Sequence, residues 1–162
     1  MPPDGSAEAA AGSAVTGEAA HLRALESLYG HAPINRFFES TLELPVAGIA
    51  SIRFTLDERH FHAAGAVHGT GYFKMLDDAA FYAANSLVSD RFLLTTAFNL
   101  FFTKPLGPGP VVAEGRWISG RRRVLVAEAR LVDAGGEEVA RGTGTFMRSR
   151  IPLAGLPGYG AA

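Results

Sequence analysis

The sequence predicts an α+β domain in which an antiparallel sheet wraps around one long helix. Two observations carry this. Residues 70–87 combine apolar residues at three- and four-residue spacing with the length of a helix, while the segments before and after them alternate with period two. Strands on both sides of a single apolar helix suggest one sheet packed on that helix.

The elements follow in order. Leu22, Leu25 and Leu28 share one helical face over His21–Tyr29, and Gly30 and Pro33 punctuate its end. A short turn is expected through Arg36–Phe38. Thr41–Val46 and Ile49–Leu56 read as strands joined at Ala47-Gly48. In the second, Ile52, Phe54 and Leu56 alternate with Ser51, Arg53 and Thr55, the period of a half-buried strand. A His/Ala/Gly loop over Phe61–Val67 leads into the long helix, Thr70–Leu87. Phe73, Leu76, Ala80, Ala83 and Leu87 mark its apolar face, and its small alanines allow close approach to a sheet or another helix. Strands are expected over Phe92–Phe102, Val111–Ile118, Val124–Val132 and Glu138–Met147. They are separated by the turn Gly107-Pro108-Gly109-Pro110, the corner Gly120–Arg123 and the hairpin signal Ala134-Gly135-Gly136.

Length and composition bound the function. The chain has 162 residues, the size of one domain with its own core. The folded part is read as residues 21–150, flanked by an Ala/Gly/Ser-rich N-terminal tail over 1–20 and a Gly/Pro/Ala-rich tail over 151–162. A net charge of −1 creates no general field for nucleic acid or an anionic membrane. There is no cysteine, which excludes disulfides, thiolate catalysis and Cys-based zinc sites. The N-terminus lacks the basic start and apolar run of a signal peptide, and no apolar run reaches membrane-spanning length. A cytoplasmic location is the expectation.

Chemistry concentrates at His60–Gly71. Small residues run straight into the long helix, whose first N–H groups lack partners inside the helix and carry its positive dipole end. Gly69 has no side chain to hold a ligand off, so its amide suits an oxyanion hole. Asp77 follows eight residues on, in a helix that otherwise reads as core, where an unpaired carboxylate is costly. Eight residues of helix span about 12 Å, too far for both groups to meet one carbonyl within one chain. Two such helices packed antiparallel would bring them together, so cooperation of Gly69 and Asp77 implies a site between subunits.

The run His60-x-His62-x-x-Gly65-x-x-His68-Gly69-x7-Asp77 resembles His-x-Asn-x-x-Gly-x-x-His-Gly-Gly-x6-Asp of the PaaI-like hotdog thioesterases, relatives of the 4-hydroxybenzoyl-CoA thioesterases. The likeness continues through Ala83–Ser86, Asn99 to Lys104-Pro105, Gly120-Arg121-Arg122 and Gly142–Phe146. It implies the hotdog fold, an acyl-CoA substrate, no cofactor, and a homodimer or homotetramer with interfacial sites. It implies that Asp77 is nucleophile or general base, that the Gly69 amide polarises the thioester carbonyl, and that Thr95 lies near the hydrolytic water. Contact with coenzyme A is assigned to His68, Lys104, Arg121, Arg122 and Arg123.

Several positions depart from the pattern. His62 stands where Asn or Gln is usual, and can still donate a hydrogen bond to the carbonyl. Thr70 replaces a glycine. Lys74 is an unexpected charge, and Asp78 sits beside Asp77 at a spacing that permits an ion pair with Lys74. His60 and His62 alternate and can face the same way. With His68 or Asp77 they supply zinc-ligand types, but an ordinary hydrogen-bonded pair is the reading and no metal is assigned. Trp117 and the phenylalanines of 98–102 are read as core or interface residues, some placed to line an acyl tunnel. Two other functions share the fold: an acyl-CoA or lipid binder without turnover, and an acyl-thioester dehydratase. The latter wants an acid where Lys74 stands and Pro-Gly chemistry where Ala63-Ala64 stands.

Overall fold

The computed structural model describes residues 6–160, with side chains from Gly17 onward. Helices α1 (Ser6–His31) and α2 (Pro33–Phe38) precede strands β1 (Thr41–Val46) and β2 (Ile49–Leu56). A 3-10 turn (Glu58–His60) and the histidine loop lead to α3 (Gly69–Asn85). Strands β3 (Arg91–Phe102), β4 (Gly109–Ser119), β5 (Val124–Asp133) and β6 (Glu138–Pro152) complete the chain. All neighbouring strands are antiparallel, in the order β1-β2-β4-β5-β6-β3.

The sheet closes on α3. Met75, Leu76, Ala79, Ala80, Ala83 and Ala84 are completely buried, facing Ile52, Ala113, Leu125, Ala127 and Phe146 from the sheet. The closest approach is at Gly115, where an added Cβ would stand 2.0 Å from the Ala79 carbonyl oxygen. That contact is backbone on both sides and cannot yield by side-chain rotation. Gly115→Ala is therefore expected to destabilise the fold by about 2–4 kcal/mol, beyond ordinary overpacking, read from denaturant midpoints.

Residues 142 and 144 show a related device. A Cβ at either glycine would strike the Phe98 ring, at 2.3 Å and 2.6 Å. The closing Gly-x-Gly of β6 thus makes room for an aromatic ring from β3.

The termini differ from the sequence reading. Where a tail is expected through Ala20, α1 runs continuously from Ser6; alanine is the best helix former, and the alanines extend the helix that Leu22, Leu25 and Leu28 anchor. Residues 1–5, also read as tail, lie outside the described residues. The C-terminal segment is not loose: β6 continues to Pro152, Leu153 is fully buried, and its N–H donates to the Asp90 carbonyl. The Tyr159 hydroxyl meets buried His21 Nδ1 at 2.8 Å, and His21 Nε2 reaches the Asn85 carbonyl at the end of α3. Leu153, Leu156 and Tyr159 recur at three-residue spacing, a pattern the surrounding Gly and Pro mask.

The two sheet edges are built differently. β1 is short, contains Glu43 and Pro45, and bulges; its Leu44 N–H donates to Glu26 of α1. Such features block further strand pairing. β3 has twelve residues, no proline and a single charge, Arg91, at its start. Leu94, Phe101 and Phe102 are exposed along it, at 48%, 69% and 56%. No helix among the described residues is long and apolar enough to cross a membrane.

Candidate active site

The loop before α3 is held by its backbone. His62 N–H donates to Ala66 O, Val67 N–H to Leu106 O and His68 N–H to His60 O. His68 caps the helix: its Nδ1 accepts from the Thr70 N–H at 3.1 Å, and its carbonyl takes the Gly71 N–H. The Gly69 N–H, first in the helix, finds no acceptor among the described residues. It borders a cavity of about 400 Å³ walled by Val67, Tyr72 and Phe102, with His62 and Lys104 also in its lining. His62 Nδ1 accepts from the Ala64 N–H. In the neutral ring the proton is then on Nε2, as a donor.

From this end α3 runs along the inner face of β3 in three contacts. Phe102 lies against Gly69, its Cζ 3.2 Å from where a Cβ would be. Phe73 packs edge-on against Phe98, centroids 5.7 Å apart. The Thr95 hydroxyl donates to Asp77 Oδ1 at 3.0 Å. Residues 95, 98 and 102 do not share one period-two phase. The ladder to β6 shifts between Thr95 and Ala97, and this bulge turns both Thr95 and Phe98 toward the helix. Asp77 and Thr95 are thus brought together, as are Gly69, His62 and Lys104. The two groups occupy opposite ends of the α3–β3 seam.

Burial holds the Asp77 carboxyl up at about 6, with the neighbouring Asp78 charge adding to the rise; the Thr95 hydrogen bond and Lys74 pull the other way. Asp78 turns to the other side of the helix, where it forms an ion pair with Lys74. Lys74 also donates to Asn35 Oδ1 at 2.6 Å and lies over the rings of Tyr29 and Phe38. The one cation on α3 therefore has a partner, and its bond to Asn35 ties α2 to α3.

The other candidates separate. His60 does not face the same way as His62: its side chain is buried among Phe38, Phe54 and Phe37, with Nδ1 at the Asp57 backbone. His62 is exposed on the cavity side. The aromatic shell around His60, contributed by α2 and β2, explains the split. No group of three or more metal-ligating side chains comes together among the described residues. Arg121, Arg122 and Arg123 sit exposed at the β4–β5 corner, with Arg121 stacked on Trp117 at 4.8 Å. The Arg123 carbonyl accepts from Arg148 N–H, and Arg148 pairs with Leu93. This corner is therefore at the Asp77 end of the sheet, whereas Lys104 is at the Gly69 end. One subunit does not gather the four cations expected to meet coenzyme A. Tyr72 was not singled out by sequence; its position three residues after Gly69, on the same helical side, was the available signal.

A family model described as the thioesterase superfamily matches residues 64–140, the span from the histidine loop into β6. Among solved structures, the chain is similar to the Escherichia coli PaaI protein from the phenylacetic acid degradation operon. The TM-score is 0.76 at 18% identity, over 83% of this chain and 97% of that one. The chain has the hotdog fold. A thioesterase family protein from Silicibacter pomeroyi also matches the hotdog domain, at TM-score 0.73 and 22% identity over 78% and 96% of the chains. So does a variant of the phenylacetic acid degradation protein PaaI from Thermus thermophilus, at 0.66 and 23% over 73% and 100%. No curated protein matches the sequence.

Proposed function

We propose that the protein is an acyl-CoA thioesterase acting as a homodimer, with each site built from Asp77 of one subunit and Gly69 of the other. The observation that carries this reading is the seam itself. It bears a free helix N-terminal amide beside a largely apolar cavity at one end, and a carboxyl raised to about 6 at the other. A two-fold axis near Phe98 and Asn99 that pairs β3 with a second β3 sets Thr95 opposite Phe102 of the partner subunit. Asp77 and the partner's Gly69 then flank one site. The unprotected β3 edge, long and apolar, supports this pairing. The same operation carries the partner's Lys104 toward the level of Leu93, the end where Arg121, Arg122 and Arg123 lie. The cations that one subunit keeps apart would then share the coenzyme A phosphates, with His68 at the loop.

In this site the thioester carbonyl accepts from the Gly69 N–H and from His62 Nε2–H. Thr95 occupies Asp77 Oδ1 and leaves Oδ2 to accept from water. Asp77 takes a proton from that water as its oxygen adds to the carbonyl carbon. The resulting oxyanion is stabilised by the amide and the helix dipole. Collapse breaks the C–S bond, and the departing thiolate takes the proton back from Asp77. A carboxyl near 6 favours a base role, because a base works best near the operating pH.

The test is thiol release from a panel of acyl-CoAs across pH 4–9. Hydrolysis with kcat/KM falling below about pH 6 supports the reading. A folded protein that binds these thioesters and releases no thiol removes it in favour of a binding role. Asp78→Asn, which deletes the neighbouring negative charge and leaves Lys74, is expected to move that acid limb to lower pH.

A further inference from the structure

We propose that the acyl group occupies the cavity beside Gly69 and that Phe102 sets how large that group can be. This rests on the thioesterase reading and adds the substrate class: compact, uncharged, apolar acyl groups.

If the carbonyl sits at the Gly69 N–H, one arm of the thioester must enter the cavity that this residue borders. The two arms differ chemically. The pantetheine arm carries two amides that need hydrogen-bond partners when buried. The acyl arm of a simple thioester carries none. The cavity wall suits the second, because Val67, Tyr72 and Phe102 present carbon surface. The Tyr72 hydroxyl is already spent on the Lys104 carbonyl at 2.9 Å.

Size points the same way. About 400 Å³, at the low end of ligand sites, is room for a compact acyl group. Phe102 is the wall nearest Gly69. Its ring stands beside Gly69 on one side and edge-on to Tyr72 on the other, centroids 5.1 Å apart. The ring lies beside the residue whose amide would hold the carbonyl, so truncating it opens the cavity at the point where the acyl chain begins.

The experiment uses the full-length protein and S-alkyl-CoA thioethers with alkyl chains from two to sixteen carbons, which bind without turnover. Calorimetry gives Kd against chain length for wild type, Phe102→Ala and Phe102→Trp, with oligomeric state and melting temperature checked for each. Wild type is expected to tighten with each added carbon up to a short limit and then weaken. Phe102→Ala should move that limit outward and raise the long-to-short preference at least about tenfold, as expected for several newly accommodated methylenes. Phe102→Trp should move it inward. An unchanged limit in two correctly assembled variants overturns the proposal, and so does affinity that ignores chain length. Parallel thiol-release assays keep the two readings apart. A limit that moves in a protein without turnover upholds the acyl pocket and removes the thioesterase.

Discussion

Asp77→Asn is expected to lower thiol release by a factor of about 10²–10⁴, the range for losing a positioned general base, while making the protein more stable. Both effects have one cause. Burial raises the Asp77 carboxyl from 3.8 to about 6, so the native state holds this proton more tightly than the unfolded chain does. The resulting stabilisation is present below pH 4 and is lost as pH rises through 6. At neutral pH the ionised carboxylate is a net cost. The full difference corresponds to about 3 kcal/mol, and partial contact with water reduces it to about 1–2 kcal/mol. The amide keeps an oxygen for the Thr95 hydroxyl and carries no charge. Its melting temperature should exceed the wild-type value above pH 6, and the difference should shrink toward pH 4. A variant that loses activity with no gain in stability would place Asp77 in an ordinary solvated setting.

Gly69→Pro should lower kcat by about 10²–10³, the cost of one oxyanion-hole donor, with little change in melting temperature. Gly69 is the first residue of α3, the position where proline is most readily accepted. His68 before it already has φ −68° and ψ 145°, the extended conformation that a following proline demands. The substitution thus deletes one N–H and keeps the helix start. The added Cβ meets only the Phe102 ring, the end of a side chain rather than backbone. A kcat within twofold of wild type would put the carbonyl elsewhere.

Much of the fold was legible because its signals are local. The alternation of Ile52, Phe54 and Leu56 and the alanine-rich face of α3 specify their elements without help from distant residues. The His-Gly to Asp spacing located the seam's two ends, and helical rise alone indicated that one chain cannot join them. What was hidden depends on packing. The C-terminal segment reads as a tail until Leu153 and Tyr159 find Asp90 and His21. His60 and His62 look equivalent in the sequence, and only the phenylalanines from α2 and β2 separate them. Lys74 looked out of place because its partner Asn35 lies 39 residues away, across a turn whose path the sequence does not specify. The bulge in β3 was likewise invisible, since Thr95-Thr96 fits an ordinary strand, yet it aims Thr95 at Asp77.

In the proposed dimer, each site joins Asp77 of one subunit to Gly69 of the other. This arrangement is tested most directly by mixing Asp77→Asn and Gly69→Pro subunits. Each variant alone should be nearly inactive. After dissociation and reassembly of equal amounts, half of two-fold dimers are mixed, and each mixed dimer holds one site with both groups intact, so about 25% of wild-type activity should return. If each subunit instead built its site from its own Asp77 and Gly69, every site in the mixture would carry a defect. Activity that stays at the level of the separate variants, with mixed dimers demonstrated, would contradict the account.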